Sequence, residues 1–152
     1  LKRTLEIYNQ LSDSLGIKHT GAAYNEEDMK QRYPIYIFRR GINVALINFT
    51  YGTNLGASTR WPKVFYAREE EVLAAVRSAR EQGADFVIAL PHWGTEYSLN
   101  HDEYQQRWAE MLINAGVDAI GVTWGFRPRT ELESFHPMGI IDKAEEFSNY
   151  IQ

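Results

Sequence analysis

The spacing of apolar residues predicts helices and strands that alternate along the chain. An apolar residue every third or fourth position over residues 1–15 predicts an amphipathic helix that ends at Gly16. The same spacing predicts two stronger helices, over residues 68–83 and 101–116, each closed by a glycine. Their predicted inward residues are Val72, Ala75, Val76 and Ala79 in the first and Tyr104, Trp108, Met111 and Leu112 in the second.

Runs rich in β-branched and aromatic residues predict the strands. "PIYIFRR" and "NVALINFTY" form a strand pair around Gly41, and "ADFVIALP" is a buried strand closed by proline. "GTNLGASTRWP", which follows "NVALINFTY", is predicted to be a long loop. "VDAIGV" is the next strand, and helix, short strand and helix follow in "RPRTELESF", "MGIID" and "KAEEFSNYI". This alternation predicts an α/β fold, with a layered, largely parallel sheet flanked by helices.

Composition narrows the function classes. The chain has 152 residues and a net charge of −4, without a lysine- or arginine-rich block, which argues against nucleic acid as a partner. It has no cysteine, which excludes disulfides and thiolate zinc sites. No apolar run approaches the ~18 residues of a transmembrane segment. Because the chain begins at Leu1 and carries no signal peptide, we expect a processed or excised chain.

The candidate catalytic and binding residues lie in the loops that follow the predicted strands, because ligands of α/β sheets bind outside the carboxyl ends of the strands. The loop after "FVIAL" carries His92, Trp93, Glu96 and Tyr97. The loop after "DAIGV" carries Trp124 and Arg127. Thr50, Tyr51, Thr53 and Asn54 follow a third strand and are expected to line the same edge.

Each candidate has a structural interpretation beside the functional one. His92 is either a metal ligand or a polar group over the end of a strand. The absence of an HxxxH or HxH partner favours the structural role. Trp93 is a substrate platform or a packing residue, and Glu96 binds a ligand or caps a backbone amide. Arg127, with Arg129, holds a phosphate or is solvated. No GxSxG, P-loop or GxGxxG motif is present.

Residues 1–120 resemble the CapA family of capsule and poly-γ-glutamate biosynthesis proteins, through "LGIKHTGAA", "VALINFTYGTN", "GADFVIALPHWGTEY" and "LINAGVDAIG". The resemblance implies a calcineurin-like metallophosphoesterase fold and work at the bacterial cell envelope or outside the cell. It implies a divalent metal with His92 as a ligand, and Glu96 and Tyr97 complete the family's signature. Together with the loop positions of Trp93, Asn54 and Arg127, this predicts that a polymer or small-molecule substrate binds near these five residues. The family's aspartate-bearing first strand and its "NNH" and "HPH" segments have no counterpart here.

Residues 115–152 resemble the C-terminal end of haloacid dehalogenase-type phosphatases, of the phosphoglycolate phosphatase kind, through "GVTWGF", "ELE", "IID" and "EEF". The "DxDGT" nucleophile and "GDxxxD" magnesium motifs of those enzymes are absent. The two resemblances predict a CapA-like part over 1–120 and a dehalogenase-like part over 121–152, packed as one α/β domain that is incomplete relative to either family.

Three hypotheses follow for function. The first is a CapA-like metal-dependent hydrolase relative, present as a partial or chimeric chain whose catalytic residues are unknown. The second is a remnant of a dehalogenase-type phosphatase. The third is a non-catalytic α/β domain. An incomplete sheet edge near Leu1 also predicts association with another chain, because exposed strand edges invite pairing. The chain itself carries no targeting signal, which leaves the cytoplasm open as its location.

Overall fold

The computed structural model describes residues 1–54, 56, 58, 60–125 and 127–150. The chain forms two compact units, Leu1–Arg107 and Trp108–Gln152. The elements are α1 (Lys2–Leu15), β1 (Ala22–Ala23), α2 (Glu26–Arg32), β2 (Ile35–Arg39), β3 (Ile42–Thr50), β4 (Lys63–Val64), α3 (Glu69–Glu81), β5 (Phe86–His92), α4 (Glu103–Asn114), β6 (Ile120–Val122), α5 (Arg129–Ser134), β7 (Gly139–Ile141) and a 3₁₀ helix (Ala144–Tyr150). Of the predicted long loop, Leu55, Ala57 and Thr59 lie outside the described residues.

The main sheet of the first unit has the strand order β2-β3-β5. The α/β class is confirmed, but a largely parallel sheet is not, since β2 pairs antiparallel with β3 while β3 pairs parallel with β5. The predicted strand pair around Gly41 is confirmed and explains the mixed sheet. Arg40 and Gly41 both have positive φ, 54° and 85°, as in the tight hairpin turns that join antiparallel strands.

The core of the first unit forms between α3 and one face of β3. Alternate residues of β3 are buried, and four residues of α3 pack toward the sheet; they are Ala45, Ile47 and Phe49 on the strand and Val72, Ala75, Val76 and Ala79 on the helix. The inward face predicted for α3 is therefore confirmed. Each large side chain buried here contributes about 1.5–3 kcal/mol to stability.

Strand β5 differs from its prediction as a buried strand closed by proline. Its residues are half-buried or exposed, with Leu90 42% exposed, and the strand continues through Pro91 to His92. In the described part of the chain β5 is an outer strand of its sheet. An outer strand tolerates proline, because the missing N–H costs no bond on the unpaired side.

Helix α2 was not predicted, because its sequence, "EEDMKQR", has no apolar periodicity. Its N-cap is Asn25, whose side chain accepts a hydrogen bond from the Asp28 amide. Asp28 pairs with Arg32 at 2.6 Å. Arg32 Nη1 lies 2.7 Å from Nε2 of His19, and Arg32 Nη2 donates to the Asn9 side chain at 3.0 Å. These contacts tie α2 to α1 and to the segment after it.

The second unit is built on the parallel pair of β6 and β7. The predicted strands and the helix α5 between them are present, but the final helix is 3₁₀ rather than α, and Ile151 of that prediction lies outside the described residues. Of the four inward residues predicted for α4, Trp108 and Leu112 are buried, Met111 is half-buried and Tyr104 is 39% exposed. Among the described helices, none is long and apolar enough to cross a membrane.

Strand β2 is the outer strand at the other side of the main sheet in the described part of the chain. Phe38 on this strand is 72% exposed. The Lys18 ammonium group donates a hydrogen bond to the Tyr36 carbonyl. Lys18 lies in the segment after α1, so a side chain from outside the strand occupies this carbonyl of β2. Association with another chain through a sheet edge stays a prediction.

We expect Gly21→Ala to destabilise the protein more than Gly41→Ala. Both glycines have positive φ, 97° and 85°. A Cβ at Gly21 would lie 2.7 Å from Oδ1 of Asn48, whereas a Cβ at Gly41 meets no atom within 4 Å. Gly41→Ala should cost only the conformational penalty of about 1–2 kcal/mol. Urea unfolding of both variants measures the difference, and equal losses of stability would contradict the close approach of Gly21 to Asn48.

We expect the protein to lose stability as pH falls below the ordinary histidine range. Burial, and then the Arg32 charge, lower the pKa of His19 below its usual 6.5, while Asp28 opposes them. Just below pH 6.5 the unfolded chain therefore binds more protons than the folded one, so acid favours unfolding until the folded pKa is passed. Urea unfolding measures the free energy of unfolding at about pH 7.5 and about pH 5.5. The difference between these two values should be smaller for His19→Gln than for the wild type. An equal difference in His19→Gln and the wild type would refute the role of His19 in this loss of stability.

Candidate functional site

The carboxyl ends of β3 and β5 lie side by side at one end of the main sheet. The parallel register runs from Val44 opposite Phe86 to Thr50 opposite His92. Parallel strands end at the same side of a sheet, so the residues after Thr50 and after His92 leave it together. The structure thus joins two of the three stretches that sequence predicts for this edge, "TYGTN" and "HWGTEY". We call the group Thr50, Tyr51, His92 and Trp93 the carboxyl edge.

His92 is exposed and is held from one side by β3. Its Nδ1 lies 3.3 Å from the Thr50 hydroxyl, and its ring lies edge-on to the Tyr51 ring with 5.7 Å between centroids. Its carbonyl accepts a hydrogen bond from the Tyr51 amide at 2.9 Å. These contacts fit the interpretation of His92 as a polar group over the end of a strand.

Trp93 is half-buried and packs on the core. Its ring meets the fully buried Phe49 ring edge-on, with 6.4 Å between centroids. This contact gives Trp93 the packing role that was one of its two predicted interpretations. Its second role, as a platform for substrate, stays a prediction.

Glu96 and Tyr97 lie in the turn that follows, closed by a hydrogen bond from the Ser98 amide to the Thr95 carbonyl at 3.2 Å. Tyr97 is fully exposed and has a φ of 62°, which is uncommon for a residue other than glycine. Within the described residues, no hydrogen bond or ring contact joins either side chain to His92. Their predicted part in substrate binding stays a prediction.

The beginning of this turn is fixed at the start of α4. Asp102 and Gln105 cap the helix reciprocally: Asp102 Oδ1 accepts from the Gln105 amide at 2.8 Å, and Gln105 Oε1 accepts from the Asp102 amide at 3.0 Å. The Thr95 hydroxyl donates to the other Asp102 oxygen at 3.1 Å. Gly94, at φ 100°, lets the Gln105 amide group approach where a Cβ would lie only 2.8 Å away.

Asp102 and Gln105 were not identified from the sequence as part of the site, although their spacing indicates a helix cap. Asp102 and Gln105 stand three residues apart before an apolar run, which is the capping-box spacing. Asn48 was also missed: its amide donates to the Leu90 carbonyl at 3.2 Å and so joins β3 to β5. A polar residue inside the apolar run of β3 marks Asn48, but its partner depends on the strand pairing.

Asn54 lies in a turn after β3, and Arg127 lies in the second unit. Asn54 is exposed in a turn in which the Gly56 amide donates to the Thr53 carbonyl at 2.9 Å. Arg127 belongs to the second unit, where it pairs with Glu131 at 3.1 Å. The predicted binding roles of both residues stay predictions.

Arg129 is also paired with a carboxylate. It donates to both oxygens of Asp142, at 2.7 and 2.6 Å. A hydrogen bond from the Thr123 hydroxyl and the Arg129 guanidinium lower the pKa of Asp142 below its usual value. A phosphate bound by Arg127 or Arg129 would have to compete with these carboxylates.

Comparison with known proteins covers most of the chain. Residues 1–122 match the family model of the bacterial capsule synthesis protein PGA_cap. The PGA biosynthesis protein CapA of Bacillus subtilis (strain 168) is 30% identical over 102 residues, which are 66% of this chain and 26% of that protein. The chain therefore spans about a quarter of the length of the curated relative that it matches.

We expect Asp102→Ala to loosen the turn as well as the helix. Loss of the cap should cost about 1 kcal/mol of stability and speed hydrogen exchange of the Thr95–Ser98 amides. Asp102→Asn is the matched control, because its side-chain oxygen can still accept from the Gln105 amide. Hydrogen-exchange mass spectrometry measures the effect. Equal exchange in the turn for Asp102→Ala and wild type would contradict the anchoring of the turn by Asp102.

Proposed function

Since the chain belongs to the family of bacterial capsule synthesis proteins described as PGA_cap, we propose that it forms part of a protein that acts in the synthesis of poly-γ-glutamate capsule. The family match confirms the resemblance stated for residues 1–120. It ends at residue 122 and so gives no support to the dehalogenase resemblance of residues 115–152, which stays a prediction, as does a chimeric origin. The cell envelope is the proposed location.

One observation supports the carboxyl edge as the ligand-facing side of this protein. The register of β3 and β5 places Thr50 opposite His92, so two stretches that resemble the family, "TYGTN" and "HWGTEY", meet at one place. Both lie inside the family match. Ligands of α/β sheets bind outside the carboxyl ends of the strands, which is the position of these residues.

The side chains of the edge suit a polymer of amides and carboxylates. Tyr51 is 49% exposed and carries a hydroxyl, and His92 is exposed and carries an imidazole. Trp93 adds an indole N–H. Such groups donate hydrogen bonds to carbonyl and carboxylate oxygens while their rings contact apolar segments. Poly-γ-glutamate offers amide carbonyls, free carboxylates and methylene groups in repetition, so we propose that a segment of this polymer or its precursor binds here.

The divalent metal implied by the CapA resemblance is a separate proposal. A hydrolytic metal site usually takes about three protein ligands. The described residues contain no group of three or more histidine, aspartate or glutamate side chains placed to hold a metal ion. His92 and its described neighbours therefore do not form a complete metal site by themselves. We derive no hydrolytic step from a metal, and the metallophosphoesterase relation and the catalytic residues stay open as predictions.

We expect His92→Asn to weaken binding of poly-γ-glutamate about tenfold, equal to about 1.4 kcal/mol of binding free energy. Asparagine removes the imidazole but keeps a polar group near the Thr50 hydroxyl. Isothermal titration calorimetry with purified polymer of defined length measures the affinity. The matched control is His136→Asn in the second unit, where asparagine suits the positive φ of 48°.

Equal affinities of the wild type and both variants would overturn the proposed binding edge. Metal content of the same samples, after dialysis against Mn²⁺, tests the metal proposal independently of the polymer. Stoichiometric metal in the wild type that is lost in His92→Asn would support His92 as a ligand. No metal bound by the wild type would leave His92 without that role in this chain.

A further inference from the structure

The Thr50 side chain makes three polar contacts at the carboxyl edge. Its hydroxyl oxygen lies 2.8 Å from the Gly52 carbonyl oxygen and 3.3 Å from the Gly52 amide nitrogen. It also lies 3.3 Å from Nδ1 of His92. A hydroxyl group has one proton to donate and two lone pairs that accept, so these three contacts use all of its capacity.

The contact with the carbonyl decides where the proton lies. A carbonyl oxygen carries no hydrogen, so an oxygen–oxygen distance of 2.8 Å requires the Thr50 hydroxyl to donate its one proton to Gly52. The Gly52 amide then donates to Thr50. Toward His92 the hydroxyl can therefore only accept, which requires a hydrogen on Nδ1.

We propose that Thr50 is a positioning residue that holds the neutral His92 imidazole in the tautomer protonated at Nδ1, which leaves the Nε2 lone pair available to a ligand. Its use by a ligand rests on the proposed function, whereas the tautomer itself does not. The neutral imidazole of free histidine favours the opposite tautomer, with the proton on Nε2. The contact with Thr50 therefore gives His92 a tautomer preference that free histidine does not have.

Both backbone polar groups of Thr50 are bonded to the segment around Tyr66, which makes Thr50 suitable for this role. Its amide donates to the Phe65 carbonyl at 2.9 Å, and its carbonyl accepts from the Ala67 amide at 2.8 Å. Threonine is branched at Cβ, which restricts its χ1 rotamers. The Tyr51 ring, 5.7 Å from the His92 ring and at 77° to it, lies beside the imidazole. Backbone pairing, rotamer preference and ring contact thus limit rotation of both partners.

The other imidazole nitrogen is available. His92 is exposed, and within the described part of the chain no hydrogen bond engages its Nε2. A neutral nitrogen with a lone pair accepts a proton or a hydrogen bond, or binds a cation. The hydrogen bond made by one ring nitrogen decides which of these the other can do, as in protein sites where a histidine is oriented by an outer partner.

Long-range ¹H–¹⁵N correlation NMR of the histidine rings, recorded at about pH 9 so that imidazoles are neutral, tests the proposal. We expect the wild type to show His92 protonated at Nδ1. Thr50→Val, which keeps the branched shape but removes the hydroxyl, should shift His92 toward protonation at Nε2. Thr50→Ser should keep the wild-type pattern. Thr123→Val is the matched control, because its hydroxyl bonds to Asp142 in the second unit.

A wild-type His92 protonated mainly at Nε2 would overturn the proposal without any variant, and so would an unchanged tautomer in a folded Thr50→Val protein. Amide spectra of the variants show whether the sheet remains folded. The result is independent of polymer binding. An Nδ1-protonated His92 that shifts in Thr50→Val, in a protein that does not bind poly-γ-glutamate, would refute the proposed function and keep the role of Thr50.

Discussion

The parallel pairing of β3 with β5 is the constraint on which the rest of the first unit depends. A shift of one residue would move Thr50 away from His92 and turn every side chain of the strand to the other face. The buried face of β3 opposes such a shift, because its alternate residues fill the core against α3. Strand pairing, core packing and the carboxyl edge are therefore one structural feature.

Polar side chains fix the same register at several points. At the start of the strands the Asn43 amide donates to Asp85 at 2.7 Å, and the Asp85 amide donates to the Asn43 carbonyl at 2.8 Å. Asn48 bonds to the Leu90 carbonyl further along, and Thr50 contacts His92 at the end. Side-chain hydrogen bonds of this kind depend on position, whereas apolar packing tolerates small shifts, so these contacts specify the alignment.

The loop after β5 combines fixed ends with an exposed tip. Trp93 packs on Phe49 at one end, and the Asp102 cap binds Thr95 at the other, while Tyr97 between them is fully exposed. A left-handed φ at Tyr97 is sterically unfavourable and persists because the ends of the turn are held. This arrangement presents the tip of the loop to solvent without freeing the residues of the carboxyl edge.

The sequence by itself determined the long elements, the α/β class, the hairpin around Gly41 and the inward face of α3, because these depend on periodicity and turn residues close in the chain. It also carried the family resemblance. The tertiary structure decided the strand directions and exposure of β5, the short helix α2, and the meeting of Thr50 with His92. The meeting of Thr50 with His92 depends on a contact between residues 42 positions apart, and α2 depends on contacts of Arg32 with His19 and Asn9. No local sequence pattern specifies either alignment.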